Sequence, residues 1–163
     1  MEYIKIGKIV NTHGIKGEIR IISDFKYKDK VFIKNFNVYI GNKYLNYVIN
    51  SYRKHKQFDM ITLEGINNIN EVLTLKNKDI FINKEDLSLN KEEYINEELI
   101  GLKVYIDNKI IGEIIDIINN STQELLVIKN NEKKILIPYV SDIIEQVDIV
   151  NNKIIITDIK GLI

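Results

Sequence analysis

The chain has 163 residues, 23 basic and 23 acidic side chains, and no cysteine. The lack of cysteine excludes disulfides, thiolate zinc sites and cysteine nucleophiles, and it fits a reducing compartment. No run approaches the roughly 20 apolar residues that span a bilayer, and the first residues lack the apolar segment of a signal peptide, so we expect a soluble, cytoplasmic protein with no membrane role.

The zero net charge conceals an asymmetry between the two halves of the chain. Residues 1–82 hold 14 Lys and Arg against 8 Asp and Glu, a balance of +6, and residues 83–163 hold 9 against 15, a balance of −6. A basic half favours contact with phosphates, and an acidic half favours a basic protein partner. Surface charge without a function would give the same pattern, so both interpretations stay open at this point.

The first half shows the alternation of apolar and polar residues that is typical of strands. The segments are "YIKIGKIV", "EIRIIS", "NVYI", "KYLNYVI", "NSYRKH", "FDMITLEGI" and "DIFI". Gly41-Asn42 predicts a tight two-residue hairpin turn. Between the last two segments, "NNINEVLTLKNK" has a helical period, and Asn68 with Glu71 resembles a capping box. The pattern predicts a small β-barrel with one short helix over residues 1–82.

The second half repeats the strand pattern after a polar stretch. Residues 83–96, "NKEDLSLNKEEYIN", are charged and poorly periodic, and they predict a linker. Strand-like segments follow, with turn signals at Asp107-Asn108 and Asn151-Asn152. We therefore expect a second small β-barrel over residues 97–163, and a mainly β fold of two barrel domains joined by a polar linker.

Motifs for catalysis and metal binding are scarce in this sequence. The two histidines, His13 and His55, lie 42 positions apart and form no HxxxH pair, and neither GxSxG, GxxxxGK[ST] nor GxGxxG occurs. We therefore expect no enzyme activity, no metal site and no cofactor.

The segment "THGIKGE" allows several functions. His13 as a catalytic base would need an orienting partner, which the sequence does not identify. Gly14 and Gly17 give the GxxG spelling of a KH-type RNA clamp, but that clamp joins two helices and here a strand follows. A barrel loop, like those of ribosome-associated modules, would offer glycine amides together with Lys16 and Arg20. A plain strand-to-strand loop, whose glycines supply positive φ, is the structural alternative.

The segment "SYRKHK" is a second basic cluster. Arg53, Lys54 and His55 stand next to Tyr52, a composition that suits an RNA backbone. A solvated hairpin tip would have the same composition.

Taken in order, these segments resemble the RimM family of ribosome maturation factors over nearly the whole chain. The resemblance is carried by "IGKIVNTHGIKGEIRI", "SYRKHKQFDMITLEGINNINEV", "ELIGLKVYIDNKIIGEIIDI" and "ILIPYV". It implies an N-terminal barrel like those of translation factors and reductases, followed by a PRC barrel. It also implies a non-catalytic, monomeric assembly factor that binds the immature 30S subunit near its head, through small-subunit ribosomal protein nineteen, and assists 16S rRNA maturation.

The resemblance also implies site residues. The family's junction often carries a Tyr-Tyr pair, which aligns here with Tyr94-Ile95, and the arginine of its His-Gly-Leu-Arg-Gly motif is Lys16 in this chain. The expected protein-docking residues are Tyr94, Leu99, Gly101, Pro138 and Tyr139. The candidate RNA-facing residues are His13, Gly14, Lys16, Gly17, Arg20, Arg53, Lys54 and His55. The alternatives are that Leu99 and Pro138 are core or edge positions, and that the chain is a stand-alone RNA-binding or protein-interaction barrel.

Overall fold

A computed structural model of the chain describes residues 1–14, 16–120 and 122–158. It is mainly β, as predicted, and divides into two compact units, Met1–Asn90 and the chain from Lys91 onward. The exact bounds of the predicted linker, residues 83–96, stay a prediction. Among the described residues, no helix has the length and hydropathy that a membrane crossing requires.

Six antiparallel strands form a closed barrel in the first unit, in the order β1-β2-β5-β4-β3-β6. They are β1 (Tyr3–His13), β2 (Glu18–Ile22), β3 (Asn37–Ile40), β4 (Leu45–His55), β5 (Phe58–Leu63) and β6 (Asp79–Asn83). Alternation places Ile4 and Ile6 in the core and leaves Tyr3 and Lys5 on the outer face. Closure pairs every strand on both sides, which removes the exposed edges that invite aggregation.

Short helical segments complete the first unit. They are α1 (Lys28–Val31) and the 3₁₀ turns Ile69–Glu71, Leu73–Leu75 and Lys84–Asp86. The predicted short helix thus occurs as two successive 3₁₀ turns. The Asn68 side chain accepts a hydrogen bond from the Glu71 N–H at 3.3 Å, as expected of a cap, but Glu71 accepts from the Asn67 N–H, one residue before the capping-box position.

The predicted two-residue turn at Gly41-Asn42 is wrong. β3 and β4 are joined by four residues, 41–44, because Tyr44 lies in the turn instead of opening the strand. The ring of Tyr44 stacks on that of Tyr3, with centroids 4.0 Å apart and planes 3° from parallel. Stacking between residues distant in sequence thus decides the turn, and no local signal in the sequence reports it.

The second unit is a six-stranded sheet in the order β10-β9-β8-β7-β12-β11, with β10 and β11 at its ends. Its elements are α2 (Asn96–Leu99), β7 (Lys103–Ile106), β8 (Lys109–Asn119), β9 (Glu124–Asn130), β10 (Lys133–Pro138), β11 (Ile144–Asp148) and β12 (Lys153–Ile156). β7 and β12 pair in parallel and the other neighbours are antiparallel. The two-residue turn at Asp107-Asn108 is confirmed, since both residues have positive φ, 48° and 66°.

Candidate nucleic-acid and protein interfaces

The glycine loop after β1 is a strand-to-strand connection. His13 pairs with Glu18 across the β1–β2 ladder, so the segment between them connects two adjacent antiparallel strands. Gly14 and Gly17 have φ of +72° and +84°, the left-handed region that glycine adopts most readily. A side chain at Gly17 would also start 3.1 Å from the Asn68 carbonyl oxygen. These glycines therefore have a conformational role, and a KH-type clamp is excluded because strands flank the loop on both sides.

The structure brings the two basic segments of the sequence together. β5 lies between β2 and β4, and Met60 of β5 pairs in register with Arg20 on one side and Arg53 on the other. The rings of His13 and His55 lie 5.7 Å apart, centroid to centroid. We call the set His13, Arg20, Arg53, Lys54 and His55 the basic cluster. Lys16 is exposed in the adjoining loop.

Internal hydrogen bonds hold the two arginines of the basic cluster in place. Arg53 donates from Nε and Nη2 to the two carboxylate oxygens of Glu18, at 2.8 and 2.7 Å. Arg20 Nη2 donates to His13 Nδ1 at 2.9 Å, so Nδ1 carries no proton in this arrangement. The Arg20 guanidinium also lies 4.7 Å from the centre of the Phe58 ring. Both guanidinium groups are therefore fixed before any ligand arrives.

The titration of the basic cluster reflects these contacts. The hydrogen bond from Arg53 lowers the pKa of Glu18; burial opposes this shift, and the charges of Arg53 and the two histidines reinforce it. The pKa of His55 is lowered by desolvation first and then by the neighbouring cations, Arg53 foremost. Glu18 is thus ionised near pH 7, and the lowered pKa of His55 favours its neutral form there.

A buried carboxylate beside the basic cluster was missed by sequence reasoning. Asp59 of β5 is fully buried, accepts a hydrogen bond from the Tyr52 hydroxyl at 2.6 Å, and pairs with Lys28 at 2.9 Å and Lys54 at 3.6 Å. Burial, followed by the hydrogen bond and charge of Asp59, raises the pKa of Tyr52 to about 12. Asp59 thereby anchors α1, through Lys28, and orients Lys54. The available signal was an acidic residue at a core-facing position of a strand.

The second unit carries a groove of about 430 Å³. Its lining includes Glu92, Tyr94, Tyr139, Val140, Ile144 and Glu145. Two of the predicted docking residues, Tyr94 and Tyr139, thus meet at one groove, and both also pack against the core of the unit. The groove combines aromatic and aliphatic surface with two carboxylates, a composition that suits a protein ligand with basic side chains.

The other predicted docking residues have different environments. Leu99 is fully buried in the core of the second unit, so it cannot contact a partner directly, and its prediction as a docking residue is corrected to a packing role. Pro138 is half-buried and pairs with Leu125 at the end of β10. Gly101 follows α2 with φ of +97° and donates its N–H to the Ile114 carbonyl. A contact role for Pro138 and Gly101 stays a prediction.

Metal-binding groups do not cluster in the part of the chain that the structure describes. Within residues 1–14, 16–120 and 122–158, no three His, Asp or Glu side chains come together as a metal site would require.

Comparisons with known proteins agree with the division of the chain into two compact units. Residues 4–87 match the family model of the RimM N-terminal domain, and residues 96–162 match that of the RimM PRC barrel domain. The ribosome maturation factor RimM of Staphylococcus aureus strain bovine RF122 / ET3-1 is 41% identical over 164 residues, covering 98% of either chain; that of strain JH9 is 40% identical over the same share.

Two solved structures are also similar. One is the 16S ribosomal RNA processing protein RimM of Pseudomonas aeruginosa, with 20% identity, a TM-score of 0.44, and 97% of this chain and 98% of that chain covered. The other is the N-terminal domain of RimM from Thermus thermophilus, with 16% identity, a TM-score of 0.47, and 55% of this chain and 98% of that chain covered. On the two domain matches and the identity to the curated relatives, the chain belongs to the RimM family of ribosome maturation factors.

Proposed function

We propose that this chain assists maturation of the small ribosomal subunit by binding two components of it. In this proposal the second unit docks on small-subunit ribosomal protein nineteen in the immature 30S subunit, near its head, and the first unit contacts 16S rRNA. The chain acts as a monomer in the cytoplasm and catalyses no reaction. The groove that contains Tyr94 and Tyr139 is the observation that carries the proposal.

The chemistry of the groove supports a basic protein as the ligand. Tyr94 and Tyr139 offer large, rigid rings, which interfaces use as anchors at little cost in side-chain entropy. Glu92 and Glu145 add negative charge at the same place, in a half of the chain with a balance of −6. Ribosomal proteins that bind rRNA are rich in Lys and Arg, so their basic side chains complement these carboxylates.

The basic cluster of the first unit supports an RNA ligand. Arg20 and Arg53 are held by neighbouring side chains, so a phosphate would meet donors whose positions are already set. Lys16 and Lys54 add two cations, and the side chain of Lys54 is 51% exposed although it pairs with Asp59. Their partners Glu18 and Asp59 offset part of this charge, so we expect moderate affinity that depends on salt.

A charge reversal at the groove tests the protein contact. Glu145→Lys, made in the full chain, should weaken binding to purified small-subunit ribosomal protein nineteen by about tenfold, because it places like charges opposite each other. Glu132→Lys is the matched control, since Glu132 is equally exposed but lies in the β9–β10 turn, outside the groove lining. Isothermal titration calorimetry gives both affinities.

Equal affinities for the two variants would contradict docking through the groove. Binding of the wild type to RNA alone, with no affinity for the ribosomal protein, would instead favour a stand-alone RNA-binding module. The melting temperatures of the variants should match that of the wild type, since both glutamates are exposed.

A further inference from the structure

Four aromatic rings form a continuous set on the outer face of the first unit, and none belongs to the basic cluster. Tyr44 stacks on Tyr3 at 4.0 Å, the edge of Tyr39 meets Tyr3 at 5.0 Å, and Tyr44 meets Phe81 at 4.9 Å with planes 67° apart. We call this set, Tyr3, Tyr39, Tyr44 and Phe81, the aromatic platform. The sequence does not predict this platform, because its members come from three strands and a turn that meet only in the folded barrel.

Strand geometry explains why the platform faces outward. β3, β6 and β1 are neighbours in the barrel, and Tyr39 pairs in register with Phe81. The residues next to these rings, Ile40 and Ile80, are buried in the core, so alternation directs the rings to the opposite face. The platform residues thus occupy outward positions of the barrel, where the fold itself does not require aromatic side chains.

Tyr44 is the most exposed ring of the platform. The residue is 38% accessible although Tyr3 stacks on one ring face and Phe81 also contacts the ring, so part of the ring stays open to solvent. Its backbone has φ of +52°, a conformation that costs a bulky residue energy. Among the described non-glycine residues with positive φ, all but Tyr44 and Lys56 are Asn or Asp, which tolerate it better. The fold thus keeps an aromatic ring at the surface despite the backbone strain at Tyr44.

Lysines border the platform. Lys43 is next to Tyr44 in the turn and exposed, and the stem of Lys78 lies beside Gly41 of the same turn. Lys5, on the outer face of β1, pairs with Asp79 at 3.3 Å, and the side chains are 55% and 41% exposed. The nearby acidic groups are Asp79 and Asp86, the latter close enough to act on Tyr39. Lys43 and Lys78 thus add positive charge at the border of the platform.

We infer that the aromatic platform binds an unpaired base of RNA by stacking against the accessible part of the Tyr44 ring. Every base has a π-face that can stack on an aromatic ring, and Lys43 and Lys78, in and beside the same turn, supply cations for the neighbouring phosphates. The basic balance of residues 1–82 favours RNA over a basic protein as the ligand. The inference rests on the proposed function only in taking RNA as the ligand, and it adds a second RNA contact that uses stacking in place of ion pairing.

The test measures binding of the full chain to two oligomers by fluorescence anisotropy. One is a single-stranded oligoadenylate of about 12 nucleotides, within the range of known single-strand sites, and the other is an abasic ribose-phosphate oligomer of the same length and charge. Tyr44→Leu should weaken oligoadenylate binding by about tenfold and leave binding to the abasic oligomer unchanged. Tyr44→Phe is the matched control, since it keeps the ring and the same backbone conformation, and it should bind within about twofold of the wild type.

Several results would overturn the inference. In the first, Tyr44→Leu and the wild type bind oligoadenylate equally well. In the second, Tyr44→Leu loses the same amount of affinity for the two oligomers. In the third, the wild type binds oligoadenylate no more tightly than the abasic oligomer. Loss of binding to a ribosomal protein in Tyr44→Leu, with RNA binding intact, would make the platform a protein interface and also overturn it. Thermal melting of each variant checks that it is folded.

A variant of the basic cluster separates this inference from the proposed function. Arg53→Gln should weaken binding to both oligomers, because it removes a phosphate contact. If Arg53→Gln has this effect and Tyr44→Leu has none, the platform fails while the proposed rRNA contact stands. If only Tyr44→Leu has an effect, the stacking site stands and the rRNA contact through the basic cluster fails.

Discussion

Neutralising Glu18 should strengthen RNA binding by the first unit, although it removes an ion pair from the folded protein. Glu18 holds both Nε and Nη2 of Arg53, at 2.8 and 2.7 Å, and so competes with any phosphate for that guanidinium. Glu18→Gln removes the competing charge and keeps the size of the side chain. An RNA that binds at Arg53 would then meet a guanidinium whose charge is no longer neutralised.

The structure sets the size of this effect. A phosphate on the far side of the Arg53 guanidinium would lie about 7 Å from the Glu18 carboxylate, given hydrogen bonds of ordinary length on either side. Two unit charges at that distance repel by about 0.6 kcal/mol in water and by about 2.4 kcal/mol at an effective dielectric constant of 20. Since the Arg53 side chain is 48% exposed and salt screens the interaction, we expect a gain of about twofold to fivefold in affinity. The lost ion pair should lower the free energy of unfolding by at most about 1 kcal/mol.

The assay is the affinity for single-stranded RNA at several salt concentrations. Because the variant frees the charge of Arg53 for the phosphate, the slope of log affinity against log salt should steepen by up to about 0.7. Glu64→Gln is the matched control, because Glu64 is exposed and directly follows the end of β5 that is opposite to Phe58. It removes the same charge but should leave affinity unchanged. Unchanged or weaker binding by Glu18→Gln would refute the assignment of Arg53 to an RNA contact.

Two further predictions concern stability. The Arg53 hydrogen bond lowers the folded-state pKa of Glu18 below its ordinary value of 4.5, so the wild type should be more stable than Glu18→Gln above about pH 4.5. This difference in stability should vanish as the pH falls through the lowered pKa. Urea unfolding of both proteins between about pH 3 and 7 measures the difference, and a value that does not change with pH would contradict the ion pair. Asp59→Ala should lower the free energy of unfolding of the first unit by about 3 kcal/mol, because it leaves Lys28 and Tyr52 without their buried partner. Asp59→Asn keeps an acceptor for the Tyr52 hydroxyl and should therefore lose less unfolding free energy. Equal losses in the two variants would mean that the retained acceptor does not contribute.

Much of the fold could be predicted from periodicity, and the exceptions have physical causes. Strand alternation predicts the barrel of the first unit, and Asp107-Asn108 predicts its hairpin because both residues tolerate the positive φ of the turn. Gly41-Asn42 failed as a turn signal because the stacking of Tyr44 on Tyr3 lengthens the loop. The helix α1 was not predicted, since its contact with Asp59 joins residues 31 positions apart.

The candidate sites could be predicted only in part. The sequence places Arg20 and Arg53 in separate basic segments, and only the order β1-β2-β5-β4 brings them together beside Met60. It cannot predict that Glu18 neutralises Arg53, because charge counting does not reveal which side chains pair. Leu99 was predicted from the sequence to dock on a partner, but its side chain is fully buried in the core of the second unit.

The length of β4 determines the spacing of the two RNA contacts inferred here. This strand runs from Leu45 to His55, with Tyr44 directly before it and Lys56 directly after it. Eleven residues at about 3.3 Å each separate the stacking ring from the charged hairpin by at most about 36 Å. If both contacts form, a stacked single strand that rises about 3.4 Å per nucleotide would need up to about eleven nucleotides to reach both, and a shorter RNA would bind one end at a time.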